Sequence, residues 1–276
     1  MSRRLKEALQ GLLSGEELQH LVQSYDVVGD IAIIIIPDEL LAKKSLIAEA
    51  VLALHKNIRV VARRAGIYDG EFRTLPLEII GGEDRKETVH REHGVRFLLN
   101  PETVYFSVRS SSERQRIATL VQDRERVLVL FSGIGPYPLI IGRANPSCRV
   151  FGIEKNPVAH AYAQKNLGYN KKISNVEFYE GDARSVVPEL GMNFDRIVMP
   201  LPKSAEAFLD LALQFLQRPA WLHFYDLQDK GNIDGSIEKV RRACRQAARL
   251  VASAEVTICG HCAPRLYRIC VDARIG

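Results

Sequence analysis

Short apolar runs alternate with amphipathic helical patterns along the second half of the chain. The first run, residues 127–131, is continuous and is followed by a Ser-Gly-Ile-Gly turn, as is typical of a buried parallel strand. Further runs of this kind occupy residues 148–153, 176–179, 194–199 and 220–225. Helical patterns follow at residues 156–167, 204–216 and 236–250. This alternation predicts a doubly wound α/β sheet whose ligands lie beyond the carboxyl ends of its strands.

Two further β-type runs close the chain, at residues 254–259 and 266–273. They have no helix between them, because only residues 260–265 join the two runs. We therefore expect them to pair as an antiparallel hairpin at the edge of the sheet. The predicted fold of this half is a doubly wound sheet of seven strands.

The first hundred residues follow another pattern and predict a small α+β domain. Helical patterns occupy residues 3–10 and 43–55, and β-type segments lie at 27–36, 59–63, 75–80, 89–92 and 95–99. Asn100-Pro101 is a junction, because a proline disfavours the helical conformation of the residue before it. We expect domains at 1–100 and 127–276, with 101–126 as the linker between them.

The composition is that of an ordinary globular protein and excludes disorder and low complexity. The chain has 276 residues, of which 46% are hydrophobic and 26% charged. Its longest aliphatic stretch, residues 31–36, is far below the roughly 20 residues that cross a bilayer, and no apolar signal core follows the basic N-terminus. We expect a cytoplasmic protein with no membrane segment. Five cysteines are too few, and odd in number, for a disulfide framework.

The net charge of +5 is unevenly distributed along the chain. Residues 1–126 carry 19 basic and 19 acidic side chains, so the whole basic excess lies in residues 127–276. Within it, Arg242, Arg245 and Arg249 recur at helical spacing. The stripe has two interpretations, a face that contacts phosphates or the solvated outer face of the sheet. The mild excess permits a nucleic acid as partner without requiring one.

Candidate ligand-binding residues follow three successive strands. Gly133 and Gly135 come after the first, where glycines allow the backbone close to a nucleotide-like ligand. Glu154 ends the second, where a carboxylate can accept from both ribose hydroxyls, and Asp182 follows the third, where it can accept from an adenine amino group. The set predicts an adenosine site without a phosphate-binding motif, as S-adenosylmethionine requires. Structural alternatives remain, since the glycines can serve the turn alone and Asp182 can cap the next helix.

Tyr105, Arg109 and Glu113 recur at a spacing of four residues between the two domains. Spacing alone favours a structural interpretation, because Ser110-x-x-Glu113 matches a capping box at a helix start. Arg73 lies in a loop-like stretch, which indicates a solvated surface arginine.

A Cys-x-x-Cys motif, Cys259-Gly260-His261-Cys262, lies between the two terminal β-type runs. A redox motif of this type lowers a thiol pKa when it opens a helix, which this context does not offer. A structural zinc ion would need a second pair of ligands, and no other Cys/His cluster supplies one. We therefore expect neither a redox role nor a bound metal.

Several ordered motifs resemble the archaeal and eukaryotic tRNA guanine-37 N1-methyltransferases. In chain order they are VHREHG at 89–94, VYFS at 104–107, Glu113-Arg114, FSGIGP at 131–136, GDAR at 181–184, DRIVM at 195–199, LPKS at 201–204 and VDAR at 271–274. The match covers most of the chain from about Tyr25 onward. The aminocarboxypropyl transferases of wybutosine synthesis share the fold and cofactor, but GDAR and LPKS are more similar to the methyltransferases.

The resemblance implies a Rossmann-type class I methyltransferase domain that binds S-adenosylmethionine, preceded by a smaller domain that helps grip the anticodon loop of tRNA. By motif position, Glu113 would be the general base that removes the guanine N1 proton, and Arg73 would stabilise the negative charge that develops on guanine O6. We expect a monomer. The other implied positions are Tyr105, Arg109 and Pro200 in the pocket, and Arg114, Phe131, Gly133, Gly135, Glu154, Lys155, Asp182, Ala183 and Pro202 around the cofactor.

Two positions depart from the family pattern. Val129 stands where the family has an acid that can accept from the methionine amino group, and Pro200 stands where it has an asparagine. The additional N-terminal domain that many members carry is also expected to be missing. Two alternatives therefore accompany the main hypothesis. One is a wyosine-pathway enzyme that acts at the same tRNA position, by methylation of a tricyclic intermediate or by aminocarboxypropyl transfer, and the other is a paralogue that only binds.

Overall fold

The structure is a computed structural model that describes residues 2–263 and 265–276. The chain folds as two compact units, and the boundary between them falls between Val108 and Arg109. The segment 101–126, expected as a linker, is therefore divided. Residues from Arg109 onward belong to the second unit, because their helix, Ser111–Leu120, packs against the helix that follows Gly135.

The first unit is the α+β domain that the hydrophobic pattern predicts. Its helices are α1 (Ser2–Ala8), α2 (Glu17–His20) and α3 (Lys44–Leu54). Its first four strands are β1 (Asp26–Val28), β2 (Ile31–Ile34), β3 (Val60–Arg64) and β4 (Leu77–Gly82), and they form one sheet in chain order. Strands β2 and β3 are parallel and α3 connects them. Buried Leu9, Ile34, Ile47 and Val51 belong to the core of this unit.

A separate hairpin completes the first unit. It consists of β5 (Thr88–Glu92) and β6 (Val95–Leu99), which pair in antiparallel register. His93 and Gly94 form the two-residue turn with φ of 47° and 74°. Positive φ at both positions matches the right-handed twist of the strands, which explains a glycine at the second position.

The second unit is a seven-stranded sheet with helices between its parallel strands. Its helices are α4 (Ser111–Leu120), α5 (Pro136–Ala144), α6 (Pro157–Tyr169), α7 (Ala183–Glu189), α8 (Leu209–Phe215) and α9 (Gly235–Gln246). Its strands are β7 (Arg126–Leu130), β8 (Arg149–Glu154), β9 (Val176–Glu180), β10 (Phe194–Met199), β11 (Leu216–Asp229), β12 (Val251–Ala263) and β13 (Leu266–Ile275). Their order is β12-β13-β11-β10-β7-β8-β9.

The topology confirms the predicted doubly wound sheet and its terminal hairpin. Strands β7 to β11 are parallel, whereas β13 runs antiparallel to both β11 and β12. The strand order reverses beside β7, so β7 and its neighbour β10 form the switch point where open α/β sheets bind ligands. No helix in the described part of the chain is both long and apolar enough to span a bilayer.

Two predicted helices are shorter in the structure. The pattern at 204–216 is divided into a 3-10 turn, Ala205–Phe208, and α8, and Leu216 already begins β11. The pattern at 236–250 ends at Gln246. Ala248 then adopts a φ of 51°, its N–H donates to Arg245, and the Arg249 N–H donates to Cys244. These two bonds form a Schellman motif, which ends the helix before Arg249.

Arg249 is therefore not part of an exposed basic stripe. Its side chain is buried, and its guanidinium donates to the carbonyls of Leu213, Leu216, Gln217 and Gly276. Burial lowers its pKa. Arginine is the residue that can supply so many donors from one planar group, so Arg249 ties the end of α8 to the C-terminus of the chain.

Replacing Arg249 with alanine is expected to lower the free energy of unfolding by about 3 kcal/mol, because several buried carbonyls lose their donor. Arg245→Ala, in the last turn of α9, is the matched control. Arg245 is exposed and, among the residues that the structure describes, its one ion pair is with Glu238 at 2.6 Å. Its loss should therefore change stability by less than about 0.5 kcal/mol. Urea denaturation measures both, and equal effects would show that Arg249 does not brace this region.

Candidate active site

The turn after β7 contains three residues with positive φ, a backbone conformation that few side chains adopt. Phe131, Gly133 and Gly135 have φ of 59°, 57° and 88°. A left-handed phenylalanine costs roughly 1–2 kcal/mol, and such strain is typical of functional turns. A Cβ on Gly135 would lie 2.5 Å from Cζ of Phe178. Glycine is therefore required at position 135 by the turn itself, and the same turn leaves the backbone accessible at the end of the strand.

Ser132 carries an unpaired buried hydroxyl in this turn. Its backbone N–H donates to the carbonyl of Ile153 at 2.8 Å, but its Oγ has no hydrogen-bond partner among the described residues, and Ser132 is only 2% exposed. Buried polar groups in folded proteins nearly always have a partner. An orphaned hydroxyl beside Gly133 is therefore a place where a polar group of a ligand fits.

Glu154, at the end of β8, is held directly against the glycine turn. One carboxylate oxygen accepts from the Gly133 N–H at 2.6 Å and the other from the Asn156 N–H at 2.7 Å. Burial raises the pKa of Glu154, while these backbone donors oppose that shift. The Lys155 N–H is a third backbone donor to this carboxylate. A carboxylate offers about four lone-pair positions, so Glu154 keeps capacity to accept from a ligand hydroxyl.

Asp182, after β9, caps helix α7, as the structural alternative proposed. One carboxylate oxygen accepts from the Arg184 N–H at 2.9 Å, and the other lies 3.2 Å from Nζ of Lys155. The Arg184 N–H and Lys155 lower the pKa of Asp182, which stays ionised at neutral pH. Ala183 is buried behind this cap. The cap leaves Asp182 partly exposed at the strand end, so it does not exclude a contact with a ligand.

The segment after β10 forms a tight turn that contains both candidate prolines. The carbonyl of Met199 accepts from the Leu201 N–H at 2.8 Å, and the turn places Pro200 and Pro202 in half-buried positions. Two prolines remove two backbone donors, so this turn offers carbonyl acceptors instead.

Two aromatic rings and one aliphatic side chain complete this edge of the sheet. Phe131 packs edge-on against Phe208 with ring centroids 4.8 Å apart. Val129, which stands at the position of the family acid, is fully buried in the core. At position 129 a packed apolar side chain therefore stands in place of the acid that the family pattern has.

Glu113 does not form the predicted capping box. Ser110 makes no side-chain cap hydrogen bond, and Glu113 is only 4% exposed. Its carboxylate accepts from Nε and Nη2 of Arg116, both at 2.7 Å, and from the hydroxyl of Tyr225 at 2.5 Å. The carboxylate is thus oriented by a forked arginine and a phenol rather than by its own helix N-terminus.

A chain of hydroxyls connects Glu113 with the glycine turn. Tyr137 lies in the first turn of α5, two residues after Gly135, and its hydroxyl donates to that of Tyr225 at 3.2 Å. Tyr225 in turn donates to Glu113. Burial raises the pKa of both phenols, which therefore remain neutral donors at physiological pH.

Two further candidates of the second unit, Arg114 and Arg109, differ in their exposure to solvent. Arg114 is buried on the same helix as Glu113, whereas Arg109 is exposed in the 3-10 turn before it. Sequence reasoning missed Arg116, Tyr225 and Tyr137 as site residues. The spacing of three residues between Glu113 and Arg116 is the one local signal that pointed to such a pair.

Arg73 lies in the first unit and is not a free surface arginine. It adopts a φ of 52° in a loop closed by paired backbone bonds between Asp69 and Thr74. Its guanidinium carbon lies 4.7 Å from the ring centroid of Tyr105 and 5.9 Å from that of Tyr68. The structure thus brings Arg73 and Tyr105 together in a cation–π stack.

The Cys259–Cys262 motif lies in strand β12, and all five cysteines are unbridged. One cluster of three possible metal ligands occurs in residues 2–263 and 265–276, namely His223, Cys270 and Asp272. The His223 nitrogens are already engaged, because Nε2 lies 2.6 Å from Nη1 of Arg196 and Nδ1 lies 2.5 Å from Asp272. An adjacent guanidinium opposes a cation, so the cluster fits a hydrogen-bond network better than a metal.

Three of the four basic side chains of α9 form ion pairs with acids. Lys239 lies 2.8 Å from Asp226, Arg242 lies 2.5 Å from Glu206, and Arg245 pairs with Glu238. Most of the local positive charge is therefore neutralised nearby. The geometry favours the solvated outer face over a stripe that contacts phosphates.

Fold and site together define a class I methyltransferase-type protein, with acidic and glycine residues at the ends of β7, β8 and β9. A sequence model described as the TRM5/TYW2 methyltransferase domain matches residues 88–252, and one described as the TYW2 N-terminal domain matches residues 5–85. The chain belongs to the TRM5/TYW2 methyltransferase family.

Two curated relatives illustrate the similarity. The tRNA (guanine(37)-N(1))-methyltransferase Trm5b of Pyrococcus abyssi is 35% identical over 257 residues, which cover 93% of this chain and 76% of that protein. The tRNA (guanine(37)-N(1))/4-demethylwyosine(37)-methyltransferase Taw22 of Nanoarchaeum equitans is 28% identical, with coverage of 90% of this chain and 98% of that protein.

Two solved structures show the same architecture. A complex of aTrm5 with tRNALeu has a TM-score of 0.85 and 30% identity, and covers 100% of this chain and 79% of that one. Methanocaldococcus jannaschii Trm5 in complex with adenosine has a TM-score of 0.79 and 30% identity, and covers 98% of this chain and 78% of that one.

Glu154→Gln is expected to weaken the binding of adenosine by about 10- to 100-fold, because an ionised acceptor for hydroxyl groups is lost. Glu177→Gln is the matched control, since Glu177 is an exposed carboxylate on the neighbouring strand. Isothermal titration measures both constants. An unchanged affinity in a folded Glu154 variant would show that this carboxylate only braces the turn.

Proposed function

We propose that this protein transfers a methyl group from S-adenosylmethionine to N1 of guanosine at position 37 of tRNA. The observation that carries the proposal is the buried Glu113 carboxylate, oriented by Arg116 and Tyr225. It lies in the unit that also contains Gly133, Glu154 and Asp182. A placed carboxylate is what the reaction needs, because guanine N1 carries a proton and is a poor nucleophile until that proton is removed.

The residues at the strand ends fit S-adenosylmethionine. Glu154 would accept from the ribose hydroxyls and Asp182 from the adenine amino group, while the orphaned Ser132 hydroxyl offers a further polar contact. The turn at Gly133 and Gly135 presents backbone rather than phosphate-binding side chains, which suits a cofactor without phosphates. When bound, the cofactor supplies an electrophilic methyl group on a sulfonium.

Glu113 would take the guanine N1 proton on its carboxylate as the methyl group is transferred. Its hydrogen bonds with Arg116 and Tyr225 hold the carboxylate in one orientation before the substrate arrives, so little reorganisation accompanies proton transfer. General-base assistance of this kind is typically worth about 10²- to 10⁴-fold in rate.

Arg73 would balance the charge that develops on guanine O6. Its guanidinium is held over the Tyr105 ring, and Arg109 is proposed as a further pocket residue from its motif position. Tyr68, Phe72 and Tyr105 are all about two-fifths exposed in the first unit. Exposed aromatic rings beside arginines are typical of surfaces that stack unpaired bases, as the anticodon loop requires.

The remaining assignments belong to the same proposal. Arg114, Lys155, Ala183, Phe131 and Pro202 would surround the cofactor, and the carbonyl of Pro200 would face the target base in place of the family asparagine. A monomer would suffice, because every residue assigned a role comes from one chain. We infer a cytoplasmic location from the tRNA substrate.

A wyosine-pathway reaction at position 37 is the second candidate. It is favoured by the match of residues 5–85 to a TYW2 N-terminal domain and by the relative that methylates 4-demethylwyosine as well as guanosine. The proline at position 200 also changes the acceptor beside the base. Mass analysis of the product nucleoside distinguishes the three reactions, because methylguanosine, a methylated tricycle and an aminocarboxypropyl product differ in mass.

Labelled methyl transfer to a tRNA transcript with guanine at position 37 tests the main proposal. We expect labelling of that transcript and none of its adenine-37 variant, because adenine N1 offers a lone pair instead of an N–H to the Glu113 carboxylate, and position 6 of adenine offers an amino group instead of an oxygen to Arg73. Equal labelling of the two transcripts would contradict the proposal. Cofactor binding with no transfer to guanosine or to a wyosine precursor would indicate the paralogue that only binds.

Substitution of Arg73 tests its proposed role. Arg73→Ala should lower kcat by about 10²- to 10³-fold, as expected for loss of a group that stabilises an oxyanion, and Arg73→Lys should retain part of the rate because the charge remains. Steady-state kinetics with saturating tRNA measure both. Arg59→Ala, an exposed arginine in the same unit, is the control. A kcat for Arg73→Ala equal to that of the control would exclude the role.

A further inference from the structure

Arg116 connects Glu113 to a second buried carboxylate. While its Nε and Nη2 donate to Glu113, its Nη1 donates to Oδ2 of Asp272 at 2.7 Å and Nη2 also reaches Oδ1 at 3.2 Å. Burial opposes the charge on Arg116, but the two carboxylates outweigh it and raise its pKa. The guanidinium therefore stays charged and couples the orientation of one carboxylate to that of the other.

Asp272 is in turn oriented by His223, whose protonation state follows from its neighbours. Arginine can only donate, so the contact of 2.6 Å between Arg196 and Nε2 makes Nε2 an acceptor. The ring proton must then lie on Nδ1, which donates to Asp272 at 2.5 Å. Burial lowers the pKa of His223, and Arg196 acts in the same direction. A neutral histidine with one fixed tautomer results.

The network begins at Glu113 on helix α4 and also ends at this helix. Arg196 donates to both oxygens of Glu125, at 2.7 and 3.0 Å, and to the carbonyl of Leu120 at 2.8 Å. Leu120 is the last residue of α4, the helix that carries Glu113. Strand register places the middle of the network, because His223 on β11 pairs with Asp272 on β13. Helix α4 is thus attached to the sheet at both ends.

We propose that Asp272 and His223 are positioning residues for Glu113, acting through Arg116, so that the sheet determines the orientation of the base. This inference rests on the proposed function for the role of Glu113 as base. A purely structural network would only anchor α4, whereas a positioning network also sets the reactivity of the Glu113 carboxylate. The two roles are therefore separable by experiment.

The groups that face Glu113 come from five elements. They are Arg116 on α4, Tyr137 on α5, Tyr225 on β11, Cys259 on β12, and Cys270 with Asp272 on β13. Burial raises the pKa of both thiols, and neutral thiols and phenols contribute no charge. Arg116 is the cation whose placement Asp272 controls, so Asp272 is the residue to change.

Asp272→Asn is the main test, with kinetics and carboxyl NMR as readouts. We expect kcat to fall by about 10- to 100-fold, with the KM values for tRNA and for S-adenosylmethionine within twofold of the wild type. A fall in kcat with both KM values retained is what a misdirected base predicts, whereas a loosened fold would raise the KM values as well. Glu177→Gln is the matched control, since Glu177 also accepts from an arginine and a tyrosine but lies outside the network.

Two conservative variants keep the proposal testable if Asp272→Asn does not fold. Tyr225→Phe removes one donor to Glu113 without a change of shape, and Arg116→Lys keeps the charge but loses the fork. Each should lower kcat about tenfold or more while the thermal transition remains cooperative. Wild-type kcat in both folded variants would overturn the proposal.

NMR of protein labelled with ¹³C-glutamate gives a readout that needs neither tRNA nor cofactor. The Glu113 carboxyl signal, assigned from its loss in Glu113→Gln, should move to a different chemical shift in Asp272→Asn, because Arg116 is no longer held against Glu113 by a second carboxylate. It should keep the wild-type chemical shift in Glu177→Gln. An unchanged chemical shift in folded Asp272→Asn would overturn the positioning role. A changed chemical shift in Asp272→Asn, together with no methylation of guanosine-37 by the wild type, would contradict the proposed function and leave the positioning network supported.

Discussion

The guanidinium of Arg116 is held between two carboxylates, and the position of helix α4 depends on that arrangement. A largely buried charge is tolerated only when opposite charges and hydrogen bonds surround it, and here Glu113 and Asp272 provide both. Because Asp272 belongs to β13 and Glu113 to α4, one ionic cluster connects helix α4 to strand β13 of the terminal hairpin. The antiparallel part of the sheet thereby supports Glu113, which lies far from it in the sequence.

A second constraint acts at the carboxyl ends of the neighbouring parallel strands β7 and β8. The turn after β7 requires glycine because Phe178 fills the space that a Cβ would occupy. That turn presents backbone N–H groups, and Glu154 accepts one of them. Each candidate cofactor residue thus has a structural task as well as a proposed binding role, which is why spacing alone could not separate the two interpretations.

The glycine turn and the Glu113 carboxylate are connected through helix α5. Helix α5 begins at the glycine turn and carries Tyr137, whose hydroxyl reaches Tyr225 and through it Glu113. A change in the turn would therefore reach the proposed base through two hydroxyls. The chemistry that distinguishes members of this family depends on the group transferred and on the base accepted. In this chain the departures at Val129 and Pro200 lie at the strand ends, whereas the network around Glu113 is independent of both.

Local patterns in the sequence determined the doubly wound sheet, its terminal hairpin, the small α+β unit and the acidic and glycine positions at the strand ends. These follow from hydrophobic periodicity and turn chemistry, which act over a few residues. Tertiary structure decided the rest. Glu113 is bound by Tyr225 rather than used as a cap, Arg249 is buried rather than exposed, and Asp272 orients Arg116. Each of these depends on residues that lie tens to more than a hundred positions apart, and only the register of strands and the packing of helices bring such residues within hydrogen-bond distance.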